Sequence, residues 1–257
     1  MDRANEKGKV VAVVAVRMNS ERLPGKVMKE LQGRPMVEYL YERVSRCTVI
    51  DEIVIATSTA PENDVIEELC LSKKLLCFRG SEEDVIKRLL DALNWRRASV
   101  GVVVFGDNPL IDPTIIDQMI SKFRSYPDYD FVGNDLMTTY PPGMEVEVFS
   151  VQALVKAEQL VSDKEIRQHG TLCIRNHPEI FRIKNVEAEQ NVARSDYYLG
   201  VDSDVDFSVV QCVASFFEER RDYPLSEILE FLDANPDVAK LNKHVPRRWR
   251  KYRNVGS

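Results

Sequence analysis

A chain of 257 residues that is 44% hydrophobic and 30% charged has ordinary globular composition, enough for one large domain with a buried core, and it excludes extended disorder. A formal net charge of −6 excludes a general attraction to nucleic acid, so polyanion contact would have to come from a local patch such as the C-terminal "RRWRKYR". The five cysteines (Cys47, Cys70, Cys77, Cys173 and Cys212) are odd in number and form no C-x-x-C pair, which fits the reduced thiols of a cytoplasmic protein.

The N-terminus places charges before an apolar run, as a secretion signal does. The run is short, however, and Arg17 stands where a small-residue cleavage site belongs, so it is read as a strand. This run, "KVVAVVAV" (9–16), is followed by "DEIVIATS" (51–58) and "VGVVVFGD" (100–107). Continuous rather than alternating apolar runs predict strands buried on both faces of a parallel sheet. Between them, apolar residues spaced three and four apart predict helices over 35–47, 62–74 and 82–97. The alternation β, α, β, α, α, β predicts an open α/β sheet with right-handed crossovers. No run approaches the ~18 apolar residues of a membrane helix, so no membrane partner is expected.

The middle of the chain reads differently. Strands of a mixed or antiparallel layer are predicted at 129–135, 145–150 and 179–186, with an amphipathic helix over 151–163. Residues 131–190 are therefore expected to form a small projecting β/α lobe within a single domain of residues 1–257. "YYLGVDSDVDFSVVQCVASFFEER" (197–220) predicts a strand, an acidic turn and a long helix, and a last helix runs from Leu225 to about Ala234.

In open α/β sheets ligands gather outside the carboxyl ends of the strands, and the polar clusters of this chain fall there. After the first strand come Arg17, Ser20, Arg22 and Lys26, around a Pro-Gly turn. Such cations are either a solvated loop or an anion site, and cations converging with backbone donors suit a triphosphate. The spacing is neither a Walker phosphate loop nor a G-x-G-x-x-G dinucleotide turn. Asp107 and Asp202 each stand one residue past an apolar run, where a carboxylate is exposed, paired, bound to a cation or capping a helix. The expectation is metal binding, as Mg²⁺, for Asp107 and Asp202, and capping for Asp112, Asp204 and Asp206. Glu145 and Glu147 share one strand face, to bind sugar hydroxyls or a second cation, or simply as surface residues. Arg167 and His169 suit an acidic acceptor.

"VRMNSERLPGKVMKELQGRPMVEYLYERV", "FRGSEEDVIKR", "GDNPLIDP", "YPPGMEVEVFS", "RQHGT" and "VDSDVDF" stand in this order over roughly residues 9–210. In sequence and spacing this series resembles the cytidylyltransferases of the spore coat polysaccharide protein F type, relatives of the acylneuraminate and 3-deoxy-manno-octulosonate cytidylyltransferases. The resemblance implies a nucleotide-diphospho-sugar transferase (GT-A-like) fold, a three-layer α/β/α arrangement with a mixed, mostly parallel sheet. It implies CMP transfer from CTP to a small acidic acceptor, with Mg²⁺ and release of pyrophosphate, by a protein that is commonly a homodimer. It places Arg17, Ser20, Arg22 and Lys26 on the triphosphate, with Arg17, Lys26 and Asp107 catalytic and Asp107 and Asp202 on metal. Thr57, Ser58, Arg79, Gly80, Ser81 and Asp84 would line the base and ribose pocket. The acceptor would meet Asn134, Tyr140, Pro142, Gly143, Glu145, Glu147, Arg167, His169 and Thr171.

The chain departs from its relatives on the acceptor side, with "YYLGVD" in place of a sequence like L-R-L-T-V-D and "HGTLCI" in place of H-V-T-P-Y-I. Two alternatives are a GT-A-type glycosyltransferase using a nucleotide sugar, for which "DSD" at 202–204 is a formal match, and a non-catalytic nucleotide-binding scaffold acting through the basic tail.

Overall fold

The computed structural model describes residues 8–218 and 220–247. The first apolar run folds as β1 (Val10–Ala15). After the cationic loop, a minimal hairpin of β2 (Glu30–Leu31) and β3 (Arg34–Pro35) leads into α1 (Met36–Val44). Then come β4 (Glu52–Ser58), α2 (Asp64–Lys73), β5 (Leu76–Gly80), α3 (Val85–Trp95) and β6 (Val100–Phe105). The second half contains α4 (Pro113–Ser125), β7 (Phe131–Gly133), β8 (Val146–Ser150), α5 (Val151–Leu160), α6 (Lys164–Arg167), α7 (Leu172–Asn176) and β9 (Ile183–Asn185). Helices α8 (Asp204–Phe217), α9 (Leu225–Ala234) and α10 (Pro236–Lys240) complete the described chain.

The strands form a seven-stranded sheet in the order β5-β4-β1-β6-β8-β7-β9. β1 is parallel to β4 and β6, and β4 to β5. β8 is antiparallel to both β6 and β7, and β9 is parallel to β7. One edge therefore collects the carboxyl ends of β1, β4, β5, β6, β7 and β9 together with the amino end of β8.

The valine run of β1 shows why the sheet is covered on both sides. Val10, Ala12 and Val14 pack with α1, α4, α8 and α9, while Val11 and Val13 pack with α3, α5 and α7. Each wholly buried valine contributes about 1.5–3 kcal/mol of transfer free energy. The result is the α/β fold expected from the sequence, with three layers and a mixed, mostly parallel sheet.

Three expectations differ from the structure. Leu76–Gly80, not predicted as a strand, pairs with β4 as the edge strand β5. It is only half-buried throughout and carries a cysteine and an arginine, so it lacks a core strand's apolar run. The segment 197–201, predicted as a strand, joins no ladder; Leu199 N–H donates to the Pro142 carbonyl (2.6 Å) and Val201 N–H to the Asp107 carbonyl (2.8 Å). Its apolar residues are buried as a connection across the strand ends. The strands of the segment expected to project instead extend the main sheet, because Val132, Val146 and Val148 join the same core as β1. Among the described residues no helix is long and apolar enough to cross a membrane.

Candidate active site

The chain leaves β1 with a bond from Val16 N–H to the Ala56 carbonyl and then closes a tight loop on Met18, whose carbonyl accepts from Ser20 N–H (2.9 Å) and Gly25 N–H (2.8 Å). Gly25 has φ +70°, a conformation glycine adopts without penalty, and it starts the short 3-10 turn Lys26–Met28. Leu23 and Val27 are buried in the core and anchor the loop.

The anchored loop brings its cations onto both strand-end aspartates. Lys26 Nζ donates to the Val201 carbonyl (2.6 Å) and to Asp107 Oδ2 (3.0 Å), and lies 3.6 Å from Asp202 Oδ1. Arg22 Nη2 lies 2.6 Å from the same Asp202 oxygen. The other Asp202 oxygen accepts from the Tyr198 hydroxyl at 2.6 Å. Burial disfavours the ionised Asp202, but the Tyr198 hydroxyl, Lys26 and Arg22 outweigh it and hold the carboxyl below its ordinary range. Tyr198 is pushed well above the usual phenol value, first by burial and then by Asp202 and Asp107, so it stays a donor.

Two carboxylates and a carbonyl around one ammonium make an all-oxygen cradle, the donor chemistry of a hard cation such as Mg²⁺. Among the described residues no group of three or more His, Cys, Asp or Glu side chains is placed to hold a metal unaided. A metal on Asp107 and Asp202 thus needs phosphate oxygens and water to complete its shell.

Arg17, at the start of the same loop, is exposed and meets Glu82 at 3.4 Å. His169 lies within its electrostatic reach: burial, with Arg17 adding to it and Glu165 opposing, lowers the imidazole below 6.5. Ser20 sits in the same loop, half-buried.

Other predicted residues are engaged in the scaffold. Thr57 and Ser58 are wholly buried, and Ser58 Oγ accepts from Ala60 N–H and Asn63 Nδ2. Arg79 turns to α2, pairing with Asp64 and Glu67 (both 2.7 Å) and donating to the carbonyls of Ser58 and Ala60. A Cβ on Gly80 would press on Arg88 at 3.0 Å. Ser81 Oγ accepts from Asp84 N–H, and Asp84 caps α3 through Lys87 N–H.

On the acceptor side, Arg167 donates to Asp84, to Glu158 and to the carbonyls of Glu158 and Val161, using every N–H of its guanidinium. It clips α3 to the α5–α6 turn, with no donor left for an acid group. Asn134 brackets β7 and β8 through the Met144 carbonyl and Val146 N–H. Glu145 accepts from Asn108 Nδ2 and Gly143 N–H, while Pro142 supplies the carbonyl to Leu199. Gly143, at φ +111°, has no room for a Cβ, which would lie 2.5 Å from the Leu199 carbonyl carbon. Glu147 is buried, accepting from Thr171 Oγ1 and Arg175 Nη1. Tyr140 is buried with its hydroxyl 3.3 Å from Gln118.

The expected caps hold in part. Asp112 caps α4 through Thr114 N–H. At α8 the cap is Ser203, with Asp206 completing a capping box, while Asp204 is exposed and pairs with Lys29. The basic tail beyond Arg247 lies outside the described residues.

Sequence reasoning missed Tyr198, Asn63 and Arg247. Asn63 Oδ1 accepts from Met18 N–H at 2.8 Å and ties the cationic loop to the end of β4. Arg247 stacks on the Tyr198 ring. The double tyrosine in "YYLGVD" was the one visible signal, as a departure from the relatives' pattern.

Residues 11–233 match the cytidylyltransferase family. The spore coat polysaccharide biosynthesis protein SpsF of Bacillus subtilis is 32% identical over 90% of this chain and 96% of its own length. A 3-deoxy-manno-octulosonate cytidylyltransferase of Trichlorobacter lovleyi is 32% identical over 46% of each chain. The structure of a cytidylyltransferase from Leptospira borgpetersenii superposes with a TM-score of 0.87 at 26% identity, covering 93% of this chain and all of that one. A CMP:2-keto-3-deoxy-manno-octonic acid synthetase complexed with CTP shares the fold, with a TM-score of 0.62 at 17% identity over 81% of this chain and 99% of its own. A parallel sheet whose edge gathers a cationic loop and paired aspartates, matched over nearly the whole chain, places this protein in the cytidylyltransferase family.

Proposed function

We propose that the chain transfers CMP from CTP to a hydroxyl of a sugar acid or a similar acidic or phosphorylated acceptor, releasing pyrophosphate, with Mg²⁺. Such a product would be an activated precursor of a surface polysaccharide or glycoconjugate. The observation that carries the reading is the convergence of Arg22, Lys26, Asp107 and Asp202 at the carboxyl edge of the sheet. A site with fixed cations beside an all-oxygen cradle matches a metal-bound polyphosphate.

In this reading Arg22 and Lys26 hold the triphosphate, and Arg17, with a single long contact to Glu82, joins them. The acceptor oxygen attacks the α-phosphorus in line, the bond to pyrophosphate breaks, and the hydroxyl proton leaves to solvent. Mg²⁺ held by Asp107 and Asp202 would neutralise the phosphate oxygens as charge moves onto the departing group. No covalent enzyme intermediate is needed, so no cysteine or serine is assigned as nucleophile. Since Arg167 is spent on Asp84 and Glu158, the acid group of the acceptor is assigned to His169. A homodimer and a cytoplasmic location belong to the same proposal, and five free thiols support the location.

The glycosyltransferase alternative loses its motif, since Asp204 points away to Lys29 rather than joining Asp202. Pyrophosphate release from each of the four nucleoside triphosphates, with a panel of sugar acids, phosphorylated polyols and neutral sugars, tests the proposal. Release from CTP stimulated by acidic acceptors is expected. Release confined to another nucleotide, or stimulated only by neutral sugars, would contradict it.

A further inference from the structure

Asp202 is held from two sides. Its Oδ1 faces Arg22 (2.6 Å) and Lys26 (3.6 Å), whereas its Oδ2 accepts from the Tyr198 hydroxyl at 2.6 Å. The tyrosine is itself fixed, with the Arg247 guanidinium stacked 3.4 Å from the ring centroid and Asn242 Nδ2 donating to the Tyr198 carbonyl at 3.0 Å. Arg247 is pinned in turn by Asp206 (2.9 Å) and by the Asn242 carbonyl (2.8 Å). Asp206 closes the circuit, because its Oδ2 accepts from the backbone N–H of Asp202 (3.2 Å) and of Ser203 (2.9 Å). Arg247, 45 residues downstream in the sequence, thus braces one carboxylate at the mouth of the sheet.

We propose that Tyr198, backed by Arg247, is a positioning residue that keeps Oδ2 of Asp202 occupied, so that once Arg22 and Lys26 turn to the triphosphate, Asp202 meets a divalent cation through Oδ1 alone. The inference rests on the reading of Asp107 and Asp202 as metal ligands. A carboxylate limited to one oxygen suits the compact octahedral shell of Mg²⁺, whereas the larger shell of Ca²⁺ readily takes both oxygens of a carboxylate. The brace therefore selects the small cation. Removing the hydroxyl frees Oδ2, lets the carboxylate turn and relaxes that choice.

Tyr198→Phe keeps the ring and its stacking and removes only the hydroxyl. Mg²⁺ and Ca²⁺ are titrated separately into protein holding a fixed concentration of CTP, with calorimetry and thermal stabilisation as readouts. The expected result is a loss of about ten-fold in Mg²⁺ affinity with Ca²⁺ affinity held or raised, so that the Mg²⁺/Ca²⁺ preference falls at least as far. Arg247→Lys retains the charge opposite Asp206 but loses the planar stack, and is expected to move the preference in the same direction by less. Tyr198→Phe with the wild-type metal preference overturns the proposal, whether its affinities are unchanged or fall equally for both metals. Arg247→Lys with the wild-type preference removes Arg247 from the brace. A wild-type protein whose CTP binding ignores both metals overturns the underlying metal reading instead, which keeps the two failures distinct.

Discussion

Lys26 Nζ sits among three oxygens, those of Asp107, Asp202 and the Val201 carbonyl, as a small cation would. A lysine in that position does two things: it keeps the carboxylates compatible with partial burial, and it marks where positive charge belongs in the working site. Lys26→Met removes the ammonium while keeping the aliphatic stem. The variant is expected to lose about 1–3 kcal/mol of stability, since hydrogen-bonded carboxylates are left facing each other. Mg²⁺ without nucleotide should then raise the Tm of Lys26→Met while leaving that of the wild type unmoved. A variant indifferent to Mg²⁺ would show that the two carboxylates hold no metal until phosphate oxygens complete its shell. The pair was legible in the sequence because each aspartate follows an apolar run, and the cations follow a third. Tyr198 was not legible as a partner of Asp202, nor Arg247 as a support for Tyr198, because only the folded crossing of residues 198–202 over the strand ends brings them together.

Elements place these residues, and polar residues within elements often serve the elements themselves. Arg43 on α1 is buried, lies over the Tyr223 ring, and donates to the carbonyls of Ile111, Arg221 and Tyr223 (each 2.9 Å), so a charged side chain acts as a staple between helices. Arg167 acts likewise between α3 and the turn from α5 to α6. In the sequence "RQH" looked like a site for an acid group, and nothing local distinguishes an arginine spent on Asp84 from one waiting for a ligand. The same holds for Asn134, Glu145 and Glu147, whose partners come from other strands and loops. Arg167→Met is therefore expected to cost about 1–2 kcal/mol in denaturant unfolding. It should leave the Kd for CTP with Mg²⁺ and the KM for the acceptor near wild type. A ten-fold rise in acceptor KM with unchanged stability would return Arg167 to the acceptor site. The buried strands were legible because valine runs on both faces have one physical use. The edge strand β5 was not, since a half-buried strand carries no such run.

At the scale of the whole molecule, an acidic chain sets one cationic loop at the carboxyl edge of its sheet. Arg17, Arg22 and Lys26 come from a loop tied down by Leu23, Val27 and Asn63; Arg22 and Lys26 face aspartates from two other loops, and Arg17 faces Glu82. The formal charge of −6 gives no general pull on a polyphosphate, so recognition has to arise at this edge. The sequence made that edge legible through the order of strands and clusters, while the partners of Asn134, Glu145 and Glu147, brought together only by folding, stayed closed to it. The measurement that tests the account most directly is thermal stability with each of the four nucleoside triphosphates, with and without Mg²⁺, for the wild type and for Asp107→Ala. Asp107 is partly exposed, so its removal should leave the fold intact. CTP at about a hundred times its Kd adds about 2.7 kcal/mol to a protein that binds it. The account predicts such a stabilisation for CTP with Mg²⁺, absent without the metal and weakened in Asp107→Ala. No stabilisation by any nucleotide, or one that is indifferent to Mg²⁺ and to Asp107, would contradict it.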